Sequence, residues 1–437
     1  MRVTAALLSS AMLGMYTPAQ AQKPTSPTGP ITLIDAITIG RRQGVDAAIA
    51  RLNLRATEAR TGQRLAELLP NIDGQASYTR QTLNLDAFGI PIATGVTDPF
   101  NIYNLQLRAS QTILDLSAIA RLKAGRDTVT AAELDARVIG DLSGAAAGLA
   151  YLRVLSAEET VRARSADSTV AADLLNQARR LVEAGVSPAI DATRSEVSFA
   201  AVRTQLEIAR NAADRGRLDL VRALDLPSNS RLLLADSLGV SALEIPREPD
   251  AAAQYAREHR AELRAEHART EAARRTLRSI QFEYLPSLSA NGVYTESGRE
   301  TGTLAGSYNV QLLLSVPILD GFRRQNRSKE ERARLEIQEI REGNLANQVE
   351  TEARQAVLDL ASAEQQVAIA GVRVKLANRE LSEAEQRFRA GVAGSVETTN
   401  AQSSVIAAQD ALIQARVNYG TARVGAYRAL GVIEQLH

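Results

Sequence analysis

One pattern occurs twice in this chain, and a half-chain repeat means that one structural unit is used twice. The first copy carries Leu69-Pro70, an alternating run ending at Tyr78, a second run around Tyr103-Asn104-Leu105-Gln106-Leu107, and Ile113-Leu114-Asp115. About seventy Pro-free residues then lead to Ala184-Gly185-Val186. The second copy has Leu285-Pro286, Tyr294, Tyr308-Asn309-Val310-Gln311-Leu312, Ile318-Leu319-Asp320 and Ala390-Gly391-Val392. Tyr103 and Tyr308 are 205 positions apart (308 − 103), and Gly185 and Gly391 are 206 apart (391 − 185). Each unit therefore reads as two short strands followed by a very long helical hairpin.

The composition suits that reading. Aromatic residues are 4% of the 437 and Trp is absent, so the long segments must pack through small and aliphatic side chains. Nine of the sixteen Phe and Tyr (Tyr78, Phe88, Phe100, Tyr103, Phe282, Tyr284, Tyr294, Tyr308, Phe322) fall in or beside the strand pairs, which marks a different environment there. A net charge of +1 with interspersed signs leaves no basic stripe for nucleic acid. The absence of Cys excludes a disulfide framework, a thiolate metal site and a lipidated N-terminal Cys. Arg2, the mostly apolar Val3 to Tyr16 and Ala19-Gln20-Ala21 read as a secretory signal over 1–21. No later run of about eighteen uninterrupted apolar residues follows.

Helical periodicity is expected from Leu33 to Leu68, ending at Pro70. Strands are expected near 71–81, 101–113, 287–296 and 307–317. Tyr78, Tyr103, Leu105, Leu107, Tyr294, Tyr308, Val310 and Leu312 lie on their apolar faces, with residues such as Asp73, Gln75, Asn104, Gln106, Asn309 and Gln311 opposite. A period of two with one apolar and one polar face fits a sheet between two solvents. The Pro-free runs Ser117 to Ala184 and Phe322 to Ala390 predict helices of about 100 Å, returning over Ile190 to Ala223 and Ser395 to Leu430. Pro227, Pro246 and Pro249 bound a connector over 227–249, after which Asp250 is placed to cap a helix running to Gln281. The two repeats thus occupy 22–226 and 250–437.

A soluble half-exposed sheet gives similar alternation, but strands of about ten residues with one lipid-compatible face fit a transmembrane barrel. Four strands cannot close a barrel alone, and open edges are not tolerated in lipid. Two copies supply eight strands (2 × 4) and three supply twelve (3 × 4), enough for a water-filled pore. Six long helical runs without one dominant core suit a tube in which each helix packs on both neighbours, which favours three copies. A periplasmic coiled-coil adaptor or scaffold is the competing reading. It calls for compact β-domains rather than two widely separated strand pairs.

The ordered set of motifs, twice at matching spacing, resembles the TolC-like outer-membrane efflux proteins (outer-membrane factors) over essentially the whole mature chain. The resemblance implies a mainly α, internally duplicated protein with a membrane β portion. Its assembly is a homotrimeric twelve-strand barrel in the outer membrane, continued by a long periplasmic helical barrel. It implies a passive conduit in a tripartite efflux or type I secretion system, with a periplasmic adaptor and an inner-membrane pump as partners and no cofactor. Opening is by an iris-like movement of the periplasmic helices. Adaptor docking falls by position on the hairpin tips at Ala184, Gly185, Val186, Ser187, Ala390, Gly391, Val392 and Ser395; the same residues also read simply as tight turns. The family's acidic gate positions fall on Glu397 and on Asn400, where a second carboxylate is common; Ala393 stands where an Arg can lock the closed state. Three copies of Glu397 make a negative ring favouring cations, while an early-helix acid equally complements the helix dipole. Asp191, at the equivalent point of the first hairpin, reads as a cap more than as pore lining and is carried as a third gate candidate. His259 and His267, eight apart with Glu262 and Glu266 between, are a weak metal motif beside the plainer reading of a charged exposed helix. No nucleophile elbow, HExxH or phosphate-binding loop is present, so neither an enzyme nor an energy source is indicated.

Overall fold

The computed structural model describes residues 29–88, 95–239, 245–390, 392 and 394–435. The expected signal, Gly391, Ala393 and His437 lie outside them. Helices α1 (Leu33–Gln43) and α2 (Val45–Ala66) precede strands β1 (Asn71–Gln81) and β2 (Phe100–Leu114), then the hairpin of α3 (Leu116–Glu183) and α4 (Ala189–Ala223). The order repeats with α5 (Pro249–His259), α6 (Ala261–Phe282), β3 (Ser287–Gly298), β4 (Ala305–Ser315), α7 (Arg323–Arg389) and α8 (Ser395–Ala429). At 68 and 67 residues, α3 and α7 are each about 100 Å long.

Two helices each break where one continuous helix was expected, and both breaks fall at the same point of the repeat. The helix expected from Leu33 to Leu68 breaks at Gly44 (ψ 140°), and the one expected to run to Gln281 breaks at Arg260 (ψ 120°). These positions are 216 apart (260 − 44), the same offset as the two Leu-Pro motifs (285 − 69). Gly44 is tolerated there because a Cβ would sit 2.6 Å from the Gly40 carbonyl oxygen. Arg260 holds its own break: its buried guanidinium donates to Glu262, to Glu352 at 2.8 Å and to the Ala429 carbonyl. Asp250 is not the cap. Pro249 occupies the first helical position after Glu248, and the Asp250 carboxylate pairs instead with Arg354 at 3.1 Å.

The glycines of α3 permit close helix approach. A Cβ at Gly144 would meet the Ile37 carbonyl oxygen at 2.9 Å, and one at Gly148 would meet the Ile37 side chain at 2.9 Å. Helix α1 therefore lies directly on α3. From the other side, a Cβ on Gly40 would stand 2.6 Å from the Ala147 Cβ. Among the described residues α3 is also the one helix with an 18-residue window whose mean hydropathy would allow it to cross a membrane, and half of that window is buried against the protomer itself, as in a core helix.

The main core sits midway along the helices, where both repeats meet. Tyr151, Leu220, Leu224, Val349, Tyr419, Val424 and Leu430 are buried there. The Tyr151 hydroxyl lies 2.9 Å from the Ile31 carbonyl and 3.1 Å from the Asp236 carboxylate, sharing its one proton between them, and accepts from the Asp236 N–H at 3.3 Å. A parallel bridge between Ile31 and Leu234 adds a second tie, so the N-terminal lead and the connector are pinned to the same helix. Toward the tips the packing thins to small residues: Ala377, Ala384, Ala401 and Ala408 around Leu381 and Val405.

The close approach of α1 to α3 has a measurable consequence. Gly40→Val is expected to cost about 1–3 kcal/mol through overpacking, lowering the thermal midpoint of the purified protein. Gly62→Ala, where a Cβ meets nothing within 4 Å, is expected to leave it unchanged or slightly raised.

Candidate functional site: sheet faces and hairpin tips

The four strands form one antiparallel sheet in the order β1-β2-β3-β4, so strand pairs far apart in sequence are joined through β2 and β3. Directly opposed residues in an antiparallel ladder share a face. Tyr78 opposes Tyr103, Ala76 opposes Leu105 and Gly74 opposes Leu107. Leu107 in turn opposes Tyr294. Tyr294 opposes Tyr308, Gly292 opposes Val310 and Ala290 opposes Leu312. All eight residues singled out for the apolar face therefore lie on one side, joined by Ile72 and Leu314. That face is bare: Tyr308 is 82% and Val310 76% exposed. The other face presents Asp73, Gln75, Gln106, Asn104, Asn291 and Gln311. Glu296 shares the apolar side, opposite Leu105, at the end of the sheet near the β3–β4 turn, where Tyr294 donates to it at 2.9 Å.

Each strand pair joins its long helix through a charged clamp, and the clamp is duplicated. In the first repeat the Asp115 carboxylate accepts from the Ala118 backbone at the start of α3, and Arg121 reaches Glu67 at 3.3 Å. In the second, Arg327 reaches Glu283 at 2.6 Å. Arg324, buried, binds Asp320 at 2.7 Å and the Glu283 carbonyl, and lies 4.7 Å over the Tyr284 ring. The left-handed conformation of Phe322 (φ 63°) and of Gly321 (φ 66°) turns the chain there. The matched spacing of Arg121 and Arg327, 206 apart (327 − 121), is the sequence signal that could have found these residues.

The tips lie at the opposite end. Helix α3 ends at Ala184, and Gly185 takes the left-handed φ of 69° that lets the Val186 and Ser187 N–H groups return to the Leu181 carbonyl. Helix α7 ends at Ala390, and the Val392 N–H returns to the Arg387 carbonyl at 3.1 Å. Val186 and Val392 project into solvent. Ser395 does not, and this differs from its expected place on the exposed tip. Its hydroxyl is buried and donates to Asp191 at 2.6 Å, across 204 residues of sequence. Asp191 accepts a second 2.6 Å bond from Ser187 and is buried as well. It is not the helix cap, since Pro188 holds that position without a side-chain bond; it ties the Ser187 turn of its own hairpin to the other hairpin. Those two hydroxyls hold its carboxyl below the ordinary carboxylate range, against a smaller opposing effect of burial.

Glu397 is half-exposed and pairs with Arg387 at 3.2 Å, on the helix that precedes it in the hairpin. Asn400 is exposed on an apolar groove of about 370 Å³ between α4 and α8, beside Val197 and Val396. The three gate candidates are thus not one cluster. Farther from the tip, Arg164 on α3 binds Asp410 on α8 through two 2.6 Å bonds, and Gln402 donates to the Asp167 carbonyl. His259 and His267 fall on different helices because of the break at Arg260. His259 stacks on Tyr255 with ring centres 3.9 Å apart, and His267 pairs with Glu342 at 2.9 Å.

Comparison with known proteins agrees with this arrangement. The chain is 24% identical over 409 residues to the probable efflux pump outer membrane protein TtgC of Pseudomonas putida, covering 88% of this chain and 80% of that protein. It is 25% identical over 405 residues to the pyoverdine export outer membrane protein OpmQ of Pseudomonas aeruginosa, covering 89% and 82%. Its fold matches the CmeC outer membrane channel of Campylobacter jejuni with a TM-score of 0.80 at 16% identity, over 92% of this chain and 86% of that one. Residues 41–225 and 252–432, one segment in each repeat, match the outer membrane efflux protein family, and the chain belongs to that family of outer-membrane proteins.

Proposed function

We propose that three copies of this chain close a twelve-strand barrel in the outer membrane, and that their helices form a periplasmic tunnel serving as a passive export conduit. Cargo enters from an inner-membrane pump through a periplasmic adaptor that docks on the tips around Gly185 and Val392. The observation that carries this reading is the single sheet with two chemically opposite faces and two unpaired edges, β1 and β4. Its apolar side meets lipid and its polar side lines water. TtgC, named as an efflux pump component, and OpmQ, named for pyoverdine export, support the transport role.

In this reading the Asp191–Ser395 bond is a latch that holds the second hairpin against the first, and iris-like opening breaks it. Glu397 sets a weak cation preference, tempered by Arg387 in the closed arrangement. Purified protein reconstituted into planar bilayers is expected to give discrete, cation-preferring conductance steps. A protein that yields no steps in wild-type or latch-variant form overturns the conduit. Ser395→Ala removes one hydrogen bond to an ionised carboxylate, worth about 1.5–3 kcal/mol, so the open fraction is expected to rise roughly ten- to a hundredfold. Glu397→Gln is expected to reduce cation preference and Arg387→Gln to increase it; the reverse order removes Glu397 from the pore.

The latch also has a pH signature. Because the folded Asp191 carboxyl titrates below its unfolded value of about 3.9, its contribution is fully present above that value and is lost as pH falls through the folded one. Amide exchange at 186–195, corrected for its intrinsic pH dependence, is expected to be flat from neutral pH to about 4 and to accelerate below it. Asp191→Asn is expected to abolish the acid step.

A further inference from the structure

Among the described residues, the buried arginines are Arg260, Arg324 and Arg423, and the first two are fully engaged. Arg260 is satisfied by two carboxylates and a carbonyl, and Arg324 by Asp320, the Glu283 carbonyl and the Tyr284 ring. Arg423, on α8 at the level of the main core, is 7% exposed, and its Nε and Nη2 atoms have no hydrogen-bond partner among the described residues. These two nitrogens form one edge of the guanidinium plane. It is the edge that grips a carboxylate or phosphate through two parallel bonds. A buried cation left without an acceptor is unfavourable, so a bare fork of this kind points to a missing acceptor.

Arg423 lines a cavity of about 470 Å³ between α8, α3, the start of α1 and the connector. The volume lies within the range of small-molecule sites, about 300–1,000 Å³. Leu152 and Leu155 form an apolar wall, and Thr32 and Ser237 add polar atoms. Arg416, seven residues before Arg423 and so on the same side of α8, lines the cavity too and is half-buried. Asp236 is the one acid among the described lining residues, and its Oδ2 already accepts from the Leu33 N–H at 2.7 Å and from Tyr151. Two arginines against one aspartate leave the described lining with one net positive charge (2 − 1).

We propose that this cavity binds a small anion carrying a carboxylate or phosphoryl group, held by the Arg423 fork and steered by Arg416. The lining comes from four segments of one protomer. Bound anion would brace α8 against the N-terminal lead and the connector, because the cavity is walled by all three.

The test uses the assembled protein in detergent, titrated with citrate and, separately, with inorganic phosphate at constant ionic strength against chloride. Thermal unfolding and calorimetry provide the readouts. The expected result is saturable stabilisation by at least one of the two, weakened at least tenfold by both Arg423→Gln and Arg416→Gln and unchanged by Arg210→Gln, whose ion pair with Glu207 lies on the surface of α4. The citrate and phosphate arms identify which oxyanion is preferred. No response of the wild type beyond chloride overturns the proposal, as does an Arg423→Gln response equal to wild type. Should Arg423→Gln fail to assemble, Arg416→Gln, at a half-buried position, decides the matter alone. If Arg423→Gln lowers the oligomer mass while the wild type ignores both anions, a carboxylate of a neighbouring copy fills the fork and the small-anion site is rejected.

Discussion

The unpaired edges of β1 and β4 are the constraint on which the rest of this molecule depends. Each edge strand is 11 residues long, and each exposes backbone N–H and C=O groups along one side. In hydrocarbon every such group left unsatisfied costs several kcal/mol. The apolar face above Tyr308 and Val310 places the sheet in hydrocarbon, so the edges must find partners there. The four-strand order settles which partners fit. With all neighbours antiparallel, β1 and β4 run in opposite directions, and the β4 edge of one copy can pair antiparallel with the β1 edge of the next. Two or more copies joined in this way give an even, fully antiparallel barrel, and the long helices below are brought round the same axis.

That geometry explains why the helices carry so few large side chains. Helices about 100 Å long, each beside two neighbours, need close and repeated contact more than one thick core. Gly144 and Gly148 let α1 lie on α3, and Ala377, Ala384, Ala401 and Ala408 do the same for the second hairpin. The bulky core is confined to the level of Tyr151 and Tyr419, where the N-terminal lead, the connector and both repeats meet. The charged clamps at Glu67–Arg121 and Glu283–Arg327 mark the junction with the membrane portion, and Asp191–Ser395 marks the other end. The packing is thus bulky in the middle and polar at the tips, where the Asp191–Ser395 bond ties one hairpin to the other.

The fold class was legible because its signals are local and doubled. Strand alternation around Tyr103 and Tyr308, Pro at the end of one element and Gly at the end of another all act within a few residues, and the half-chain offset ties them together. The breaks at Gly44 and Arg260 were hidden by periodicity, which continues across a one-residue interruption. Only the shared offset of 216 with Leu69 and Leu285 exposes them, once the repeat is aligned in its first part rather than its second. The Asp191–Ser395 bond could not be read, because it depends on how one hairpin sits against the other, and turn chemistry describes each tip alone. The same holds for Arg423, whose missing partner is a property of packing among four separate segments. The competing scaffold reading fails on the sheet: the two strand pairs join through β2 and β3 into one surface with opposite faces, where an adaptor needs compact domains with closed cores.

The central claim is that the sheet edges are closed by other copies of the same chain. Its most direct test is the mass of the protein extracted from the outer-membrane fraction, corrected for bound detergent. Three protomers, held together until the sheet itself unfolds, is the predicted result. A monodisperse monomer with an intact sheet in detergent would contradict the account, because its edges would then have to be satisfied some other way.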